Sequence, residues 1–433
     1  MLTQLGLKNF KLFGEDGVSL AFGKVTLLIG PNGSGKSTIL QALLLLRQSL
    51  GHASLQTKGP YWNFGMYRDV VHFRDQGRVM GIEIASTYDG FPPRWRTSPR
   101  IPPTGTLEQS LTFQENGQVA YSRGTLSNDR EILTCEWPGG DGPSADGGVE
   151  LTEPLAGDFD LVGDRSIGRP VSLMTNEPVE RASGRRLGDD LLAALGRLGG
   201  QIQNTHMVPA VRGFDEREYE TIGPVSTDVL DSFAPPQNRA GRVANLLASE
   251  PGLGAILAER LSAIAPGQSS DLRTRLVADH YIAVELLGLG GATNLADEAF
   301  GLNQLIPLLV HVVKAEPGSV IGIEEPESHL HPRAQAALCD VLLKMATEQQ
   351  QQLIFTTHSE HIAMALLTAV ARGDLKADDL AIYEFRREGD SATAERLNVT
   401  EHGQVEGGLR TFFEVDIDQL GDFISARLAA TRG

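Results

Sequence analysis

The octapeptide Gly30-Pro31-Asn32-Gly33-Ser34-Gly35-Lys36-Ser37 fits the phosphate-binding pattern G-x-x-x-x-G-K-[ST] without a mismatch. Glycines let a backbone curl round a phosphate and aim its N–H groups inward, where side chains would block the approach. A helix following the loop points the positive end of its dipole at the same anion. Lys36 supplies a mobile cation for the β- and γ-phosphates, and the Ser37 hydroxyl is a natural ligand for Mg²⁺. Far along the chain, the apolar run Ser319–Ile323 ends in Glu324-Glu325-Pro326-Glu327. Acids crowded at a strand exit repel one another unless a cation offsets them. Glu324 is therefore expected to hold Mg²⁺, and Glu325 to orient and deprotonate an attacking water. His358 ends a third apolar run, Leu353–Thr357. A neutral imidazole there could donate to a γ-phosphate and sense its loss after hydrolysis. Glu327, His329, His331 and His361 lie close by in sequence, but the spacing Glu327-x-His329-x-His331 matches no zinc pattern.

These residues need strands and helices in a set order, and the flanks supply it. Val25-Thr26-Leu27-Leu28-Ile29 reads as a strand buried on both faces, and Thr38–Arg47 is made of helix formers without a breaker. Leu5–Phe10, Val18–Phe22 and Val79–Ala85 read as further strands. Phe91–Pro103 then mixes prolines with Trp95, Arg94, Arg96 and Arg100, which excludes a helix or a central strand. It is either a solvated loop or a contact for nucleic acid or an acidic partner. Short strands broken by turns are expected from about 105 to 180, with a mobile tip at Pro138–Ser144. Leu187, Leu191, Leu192, Leu195 and Leu198 share helical spacing. His206–Arg212 reads as a strand returning to the main sheet, followed by helices around Arg242–Ser249 and Leu253–Ile264. No internal repeat or long heptad run is present.

The 433 residues suit two or three domains. With 38 Lys and Arg against 55 Asp and Glu, the net charge of −17 weighs against a surface that coats nucleic acid broadly. Only Cys135 and Cys339 are present, so a reducing cytosol is expected rather than a disulfide framework. The first residues lack a signal-peptide layout, and Leu40–Leu46 is too short to span a bilayer, so no membrane partner and a cytoplasmic location are expected.

The ordered set Gly30–Ser37, Gly301-Leu302-Asn303-Gln304, Ile323–Pro332 and Thr356-Thr357-His358-Ser359 resembles an ABC-type ATPase of the SMC/RecF/OLD-like AAA group. The opening Asn9-Phe10-Lys11 is similar to that group's first strand, and the likeness covers roughly 1–90 and 205–433. The resemblance implies an α/β P-loop head with a mixed sheet, an inserted β-rich and helical subdomain, and a small C-terminal β cap. The corresponding division is 1–90 and 205–380 for the head, 91–204 for the insert and 381–433 for the cap. The resemblance also implies ATP and Mg²⁺ as ligands. Gly30, Asn32, Gly33, Ser34, Gly35, Lys36, Ser37 and Thr38 would hold the phosphates, with Ser37 and Glu324 on the metal. Glu325 would act on water, and His358 would be the switch histidine.

In the same family, Gly301, Asn303 and Gln304 occupy the signature loop, which touches the γ-phosphate bound by a facing subunit. Ser328–His331 fall at the dimer-contact loop. This sequence lacks the usual serine and second glycine of the signature, and Gln76 is the one candidate for the family's glutamine loop. The implied mechanism is an ATP-bridged homodimer or larger homo-oligomer that hydrolysis releases.

Three functions are compatible with this pattern. One is an ATP-gated switch or scaffold that controls a separate effector, a nuclease or toxin, in prokaryotic anti-phage defence. The tail does not resemble the acidic Toprim domain of OLD nucleases, which favours this reading. The second is a RecF-like ATPase that clamps DNA, and the third a metal-dependent hydrolase using the Glu/His-rich segment.

Overall fold

The computed structural model describes residues 1–52, 54–89, 104–114, 117–127, 132–138, 148–151, 197–222, 236–267, 271–288, 290–298 and 300–408. The arginine-bearing stretch 91–103, Leu187–Leu195 and positions 409–433 of the expected C-terminal cap lie outside these residues.

Two large sheets carry the chain. The first is antiparallel, built from β1 Leu2–Lys8, β2 Val18–Ala21, β4 Met80–Asp89, β5 Thr104–Phe113, β6 Val119–Ser127, β7 Ile132–Pro138 and β8 Gly148–Leu151, in the order β2-β1-β4-β5-β6-β7-β8. The strands expected in the insert thus extend the sheet that the N-terminus begins. The second sheet holds β3 Val25–Ile29, β9 Thr205–Val208, β14 Val320–Glu324, β15 Gln352–Thr357, β16 Leu380–Glu388 and β17 Ser391–Leu397, in the order β17-β16-β3-β15-β14-β9. All its pairings are parallel except that of the edge strand β17 with β16. The segment Leu380–Phe385 therefore runs inside this sheet, directly beside the phosphate-loop strand. A small third sheet joins β10 Tyr219–Glu220, β11 Asp271–Val277, β12 Tyr281–Gly288 and β13 Gly291–Asn294.

Parallel strands buried on both faces read as unbroken apolar runs, and the five residues of β3 are all buried. Leu27 and Ile29 turn to one core and Leu28 to the other, as period-two alternation requires. On the first face pack α3 Pro236–Ser249, α4 Pro251–Ile264, α5 Phe300–Lys314, α6 Pro332–Gln349 and α7 Glu360–Arg372. On the second lie α1 Lys36–Ser49, the single turn α2 Tyr67–Val70, and the strands β1, β2 and β4. Each Leu or Ile withdrawn from water this way contributes about 1.5–3 kcal/mol.

Two polar side chains tie the sheets together. The Gln352 carboxamide accepts the Leu2 N–H at 3.0 Å and donates to the Leu2 and Gly23 carbonyls at 2.8 and 2.7 Å. The Tyr383 hydroxyl bridges the Ala21 N–H and carbonyl at 2.7 and 3.0 Å. Among the described residues, no helix is long and apolar enough to cross a membrane.

Candidate active site

Strand register brings the distant motifs together. Ile29, the last residue of β3, pairs with Thr357 of β15, and Glu324 of β14 pairs with Thr356. The phosphate loop, the acids and His358 therefore leave adjacent parallel strands at one edge, the carboxyl edge where ligands bind in open α/β sheets. The α1 helix is drawn close to β14 by Gly322, where a Cβ would lie 2.7 Å from Leu40 Cδ2. That approach brings Ser37, one residue into α1, within hydrogen-bonding reach of the Glu324 carboxylate.

The loop is left-handed at Gly30, Gly33 and Gly35, with φ of 141°, 72° and 104°. At Gly30 a side chain is excluded outright, because its Cβ would lie 2.3 Å from the Phe385 carbonyl oxygen. At Gly33 nothing stands within 4 Å of that position, so the loop tip, with exposed Asn32, is open. Thr38 is buried and its N–H closes the turn on the Gly35 carbonyl at 3.0 Å. Among the described residues, the buried Ser34 hydroxyl has no hydrogen-bond partner.

Lys36 is 7% exposed, and its ammonium donates to the Gly30 and Pro31 carbonyls at 2.8 and 2.9 Å. Its third contact is His358 Nε2 at 3.1 Å. Burial pushes the amine down to about 8, opposed by the charges of Glu325 and Glu327. His358 is held below the usual imidazole range by burial and then by the Lys36 charge. A neutral ring whose Nε2 accepts from Lys36 carries its proton on Nδ1. Glu325 Oε1 stands 3.8 Å from the same Nε2.

The three glutamates differ in surroundings. Burial raises Glu324, against which the Ser37 hydroxyl and the Ala210 backbone N–H act. Glu325 stands on a left-handed backbone, φ 42°, held by its N–H on the Thr356 carbonyl at 2.9 Å. Glu327 Oε1 accepts from the Thr357 hydroxyl at 2.5 Å and the His358 N–H at 3.0 Å. Its other oxygen is buried without a partner among the described residues, and burial raises its pKa. Glu327 thus anchors the strand end that carries His358. Spacing alone did not reveal that role, although its place beside two other acids could have flagged it.

The residues at this edge fit a triphosphate and a hard divalent cation. The glycine loop leaves room for anionic oxygens, Ser34 offers an uncommitted hydroxyl, and Ser37 with Glu324 forms an all-oxygen donor pair. Among the described residues, no group of three or more His, Cys, Asp or Glu is placed to hold a metal ion. His331 instead caps α6 through Nδ1, accepting the Arg333 N–H at 3.3 Å. His361 lies in the first turn of α7, 4.0 Å from Glu360.

The remaining candidates are placed elsewhere. Gly301, Asn303 and Gln304 lie at the start of α5, which begins at Phe300. Asn303 and Gln304 are buried, and their side chains are spent inside the chain. Asn303 accepts the Phe214 N–H at 2.5 Å and donates to the Phe214 carbonyl at 2.8 Å, while Gln304 Oε1 accepts the Arg212 N–H at 2.9 Å. The structure does not bring them to the phosphate loop. Gly301 allows a close approach to the Ser328–His331 loop, since a Cβ there would lie 2.7 Å from the His329 carbonyl oxygen. Gln76 is exposed in the turn before β4.

The model of the AAA ATPase domain matches residues 1–144 and 263–363, more than half of the chain. An OLD nuclease of Thermus scotoductus is 26% identical over 412 residues, covering 92% of this chain and 66% of that protein. The chain thus spans slightly less than two thirds of that relative. Among solved structures, an SMC head bound to the C-winged helix domain of ScpA superposes with a TM-score of 0.48 at 14% identity, covering 92% of this chain and 98% of that one. The SMC head domain from Thermotoga maritima gives 0.40 at 15% identity, covering 92% and 99%.

Proposed function

The chain belongs to the AAA ATPase domain family, and from that premise we propose that it binds ATP with Mg²⁺, hydrolyses it, and uses the cycle as a switch on a partner effector. The observation that carries this reading is the contact of Lys36 with His358, 322 positions apart, with Glu325 beside both. Two ends of the sequence thereby meet at one site.

In this reading the loop N–H groups and Lys36 hold the β- and γ-phosphates, and Ser37 with Glu324 holds the metal. Mg²⁺ would supply charge neutralisation across the phosphate oxygens. Glu325 orients and deprotonates the attacking water. His358, anchored through Glu327, reads the γ-phosphate from the neighbouring strand. Pairing of two heads across ATP, with α5 and the Ser328–His331 loop at the junction, would make hydrolysis the releasing step. Dimerisation requires that ATP bind the closed pair more tightly than the open one. An effector under such control, a nuclease or toxin in anti-phage defence, is suggested by the likeness to OLD-type proteins.

The test is a steady-state assay of purified chain with ATP and Mg²⁺, paired with light scattering. Lys36→Ala should abolish nucleotide binding, and Glu325→Gln should keep it and accumulate a larger species with ATP. Retained micromolar affinity in Lys36→Ala would contradict the site. Degradation of DNA by the purified chain alone, with Mg²⁺ or Mn²⁺, would count against a separate effector.

A further inference from the structure

We infer that Arg212 is a positioning residue for hydrolysis: it fixes the backbone on which Glu325 stands and couples that backbone to the first turn of α5. The inference rests on the ATPase reading above and specifies how its acid is held.

Arg212 follows β9 in the loop Pro209–Phe214, and it is 4% exposed. A guanidinium has five N–H donors in a rigid fork. Here every donor group goes to a main-chain carbonyl. Nε reaches Gln304 O at 3.1 Å, and Nη1 reaches Pro209 O and Glu324 O, both at 2.9 Å, with Ala210 O at 3.4 Å. Nη2 reaches Glu325 O and Pro326 O, both at 3.3 Å. No carboxylate takes part in these bonds, so the fork grips the turn of the acid loop rather than forming an ion pair.

A buried cation without a touching counter-ion is costly. Burial pushes the guanidinium down to about 10, against the charges of Glu327, Glu325 and Glu324. Its placement is therefore over-determined by neighbours that all belong to the site. The residue it grips is itself strained. Glu325 has φ 42°, a left-handed conformation that costs a non-glycine residue roughly 1 kcal/mol. Remaining there needs bonds at both ends of the residue: the Glu325 N–H on Thr356 O, and the Glu325 carbonyl on Arg212. Released from Arg212, Glu325 would relax toward the right-handed region and swing its carboxylate away from the His358 and Lys36 side.

The same loop is clamped on its other side. The Arg212 N–H donates to Gln304 Oε1, and Asn303 makes both side-chain bonds to the Phe214 backbone. Arg212 therefore connects the α5 turn to the acids by bonds alone, with no mobile element between them. A shift imposed on that turn is transmitted to Glu325.

The experiment compares full-length wild type, Arg212→Lys and Arg212→Met for ATP affinity, KM, kcat and thermal melting. ATP affinity and KM should stay within about 3-fold, because the phosphate loop is untouched. The kcat should fall about 100-fold in Arg212→Met, the scale expected for a misplaced catalytic group. Arg212→Lys should recover only part of it, since an ammonium cannot reproduce the fork. If the Met variant does not fold, the Lys variant decides alone. Wild-type kcat in either folded variant overturns the inference. So does loss of affinity and rate together with the melting transition in both, which would make Arg212 a core residue only. A wild-type chain that hydrolyses no nucleoside triphosphate would instead overturn the ATPase reading itself.

Discussion

The buried amine of Lys36 gives nucleotide binding a pH dependence that can be calculated before it is measured. Burial lowers this lysine from 10.5 to about 8. Between those values the unfolded chain holds a proton that the folded chain lacks, so this group adds stability as pH rises. Binding has the opposite sign. A triphosphate favours the ammonium, and by pH 8 its own last proton is gone, so above pH 8 binding must take up a proton. With a midpoint near 8, roughly one thirtieth of the lysine is charged at pH 9.5. Affinity at pH 9.5 should therefore be roughly 30-fold weaker than at pH 7, or about 2 kcal/mol. A fluorescent ATP analogue titrated from pH 7 to 9.5 at fixed ionic strength reads this directly. Lys36→Arg, charged throughout, should bind with an affinity that does not vary over the same range. Glu325→Gln removes one of the two charges that hold the lysine up, so its break should move to lower pH. A flat wild-type profile would refute the reasoning, as would an equal fall in Lys36→Arg, which would place the titrating group elsewhere.

Glu325→Gln should also lower kcat by about 10²–10⁴-fold while ATP affinity is retained, measured by single-turnover hydrolysis. Unchanged turnover would move the water-activating role to another residue. Gly30→Ala places a Cβ 2.3 Å from the Phe385 carbonyl oxygen at φ 141°. It should cost about 3 kcal/mol or more, seen as a lowered melting temperature, and wild-type melting would show that the strand and loop can separate freely. Glu327 has a raised pKa through burial, so its favourable contribution belongs to the protonated form. That contribution is present below the unfolded carboxylate range and is lost as pH rises through the folded value. Glu327→Gln, which mimics the protonated form, should melt like wild type at pH 4 and be more stable by about 1 kcal/mol at pH 8. Equal melting at both pH values would mean that the buried oxygen finds a partner.

Much of the site was legible because its chemistry is written in short contiguous runs. Gly30–Ser37, Glu324–Glu327 and His358 each follow an apolar strand, and strand exits are where side chains can act together. The order of pairing was not legible. Nothing in Leu380–Phe385 says that it lies beside β3, since an apolar run of six residues fits any buried strand. To a sequence pattern, the turn at Gly301–Gln304 shows only its residue types. Asn303 and Gln304 are polar, but their polarity is used inward, on Phe214 and Arg212, which no local pattern could disclose. Gly322 sits unmarked inside an apolar run, yet it is what admits Leu40 and lets α1 approach β14.

Arg212 escaped for a related reason, and a charge argument could have found it. Three glutamates within four positions at a strand exit need positive charge from somewhere. Lys36 faces the side chains, and a cation held there would add to it, but the turn that carries the acids also buries its backbone. A row of carbonyls bent out of a strand needs donors, and buried donors in number come from an arginine fork or from water. Among the described residues, the first arginine after a strand that joins β14 is Arg212, in the loop that leaves β9. The requirement thus points to a residue that makes no contact with substrate and belongs to no motif. In a site assembled from strand exits, the side chains that do chemistry are advertised by type, whereas those that hold the exits in shape are found only by counting the backbone groups they must satisfy.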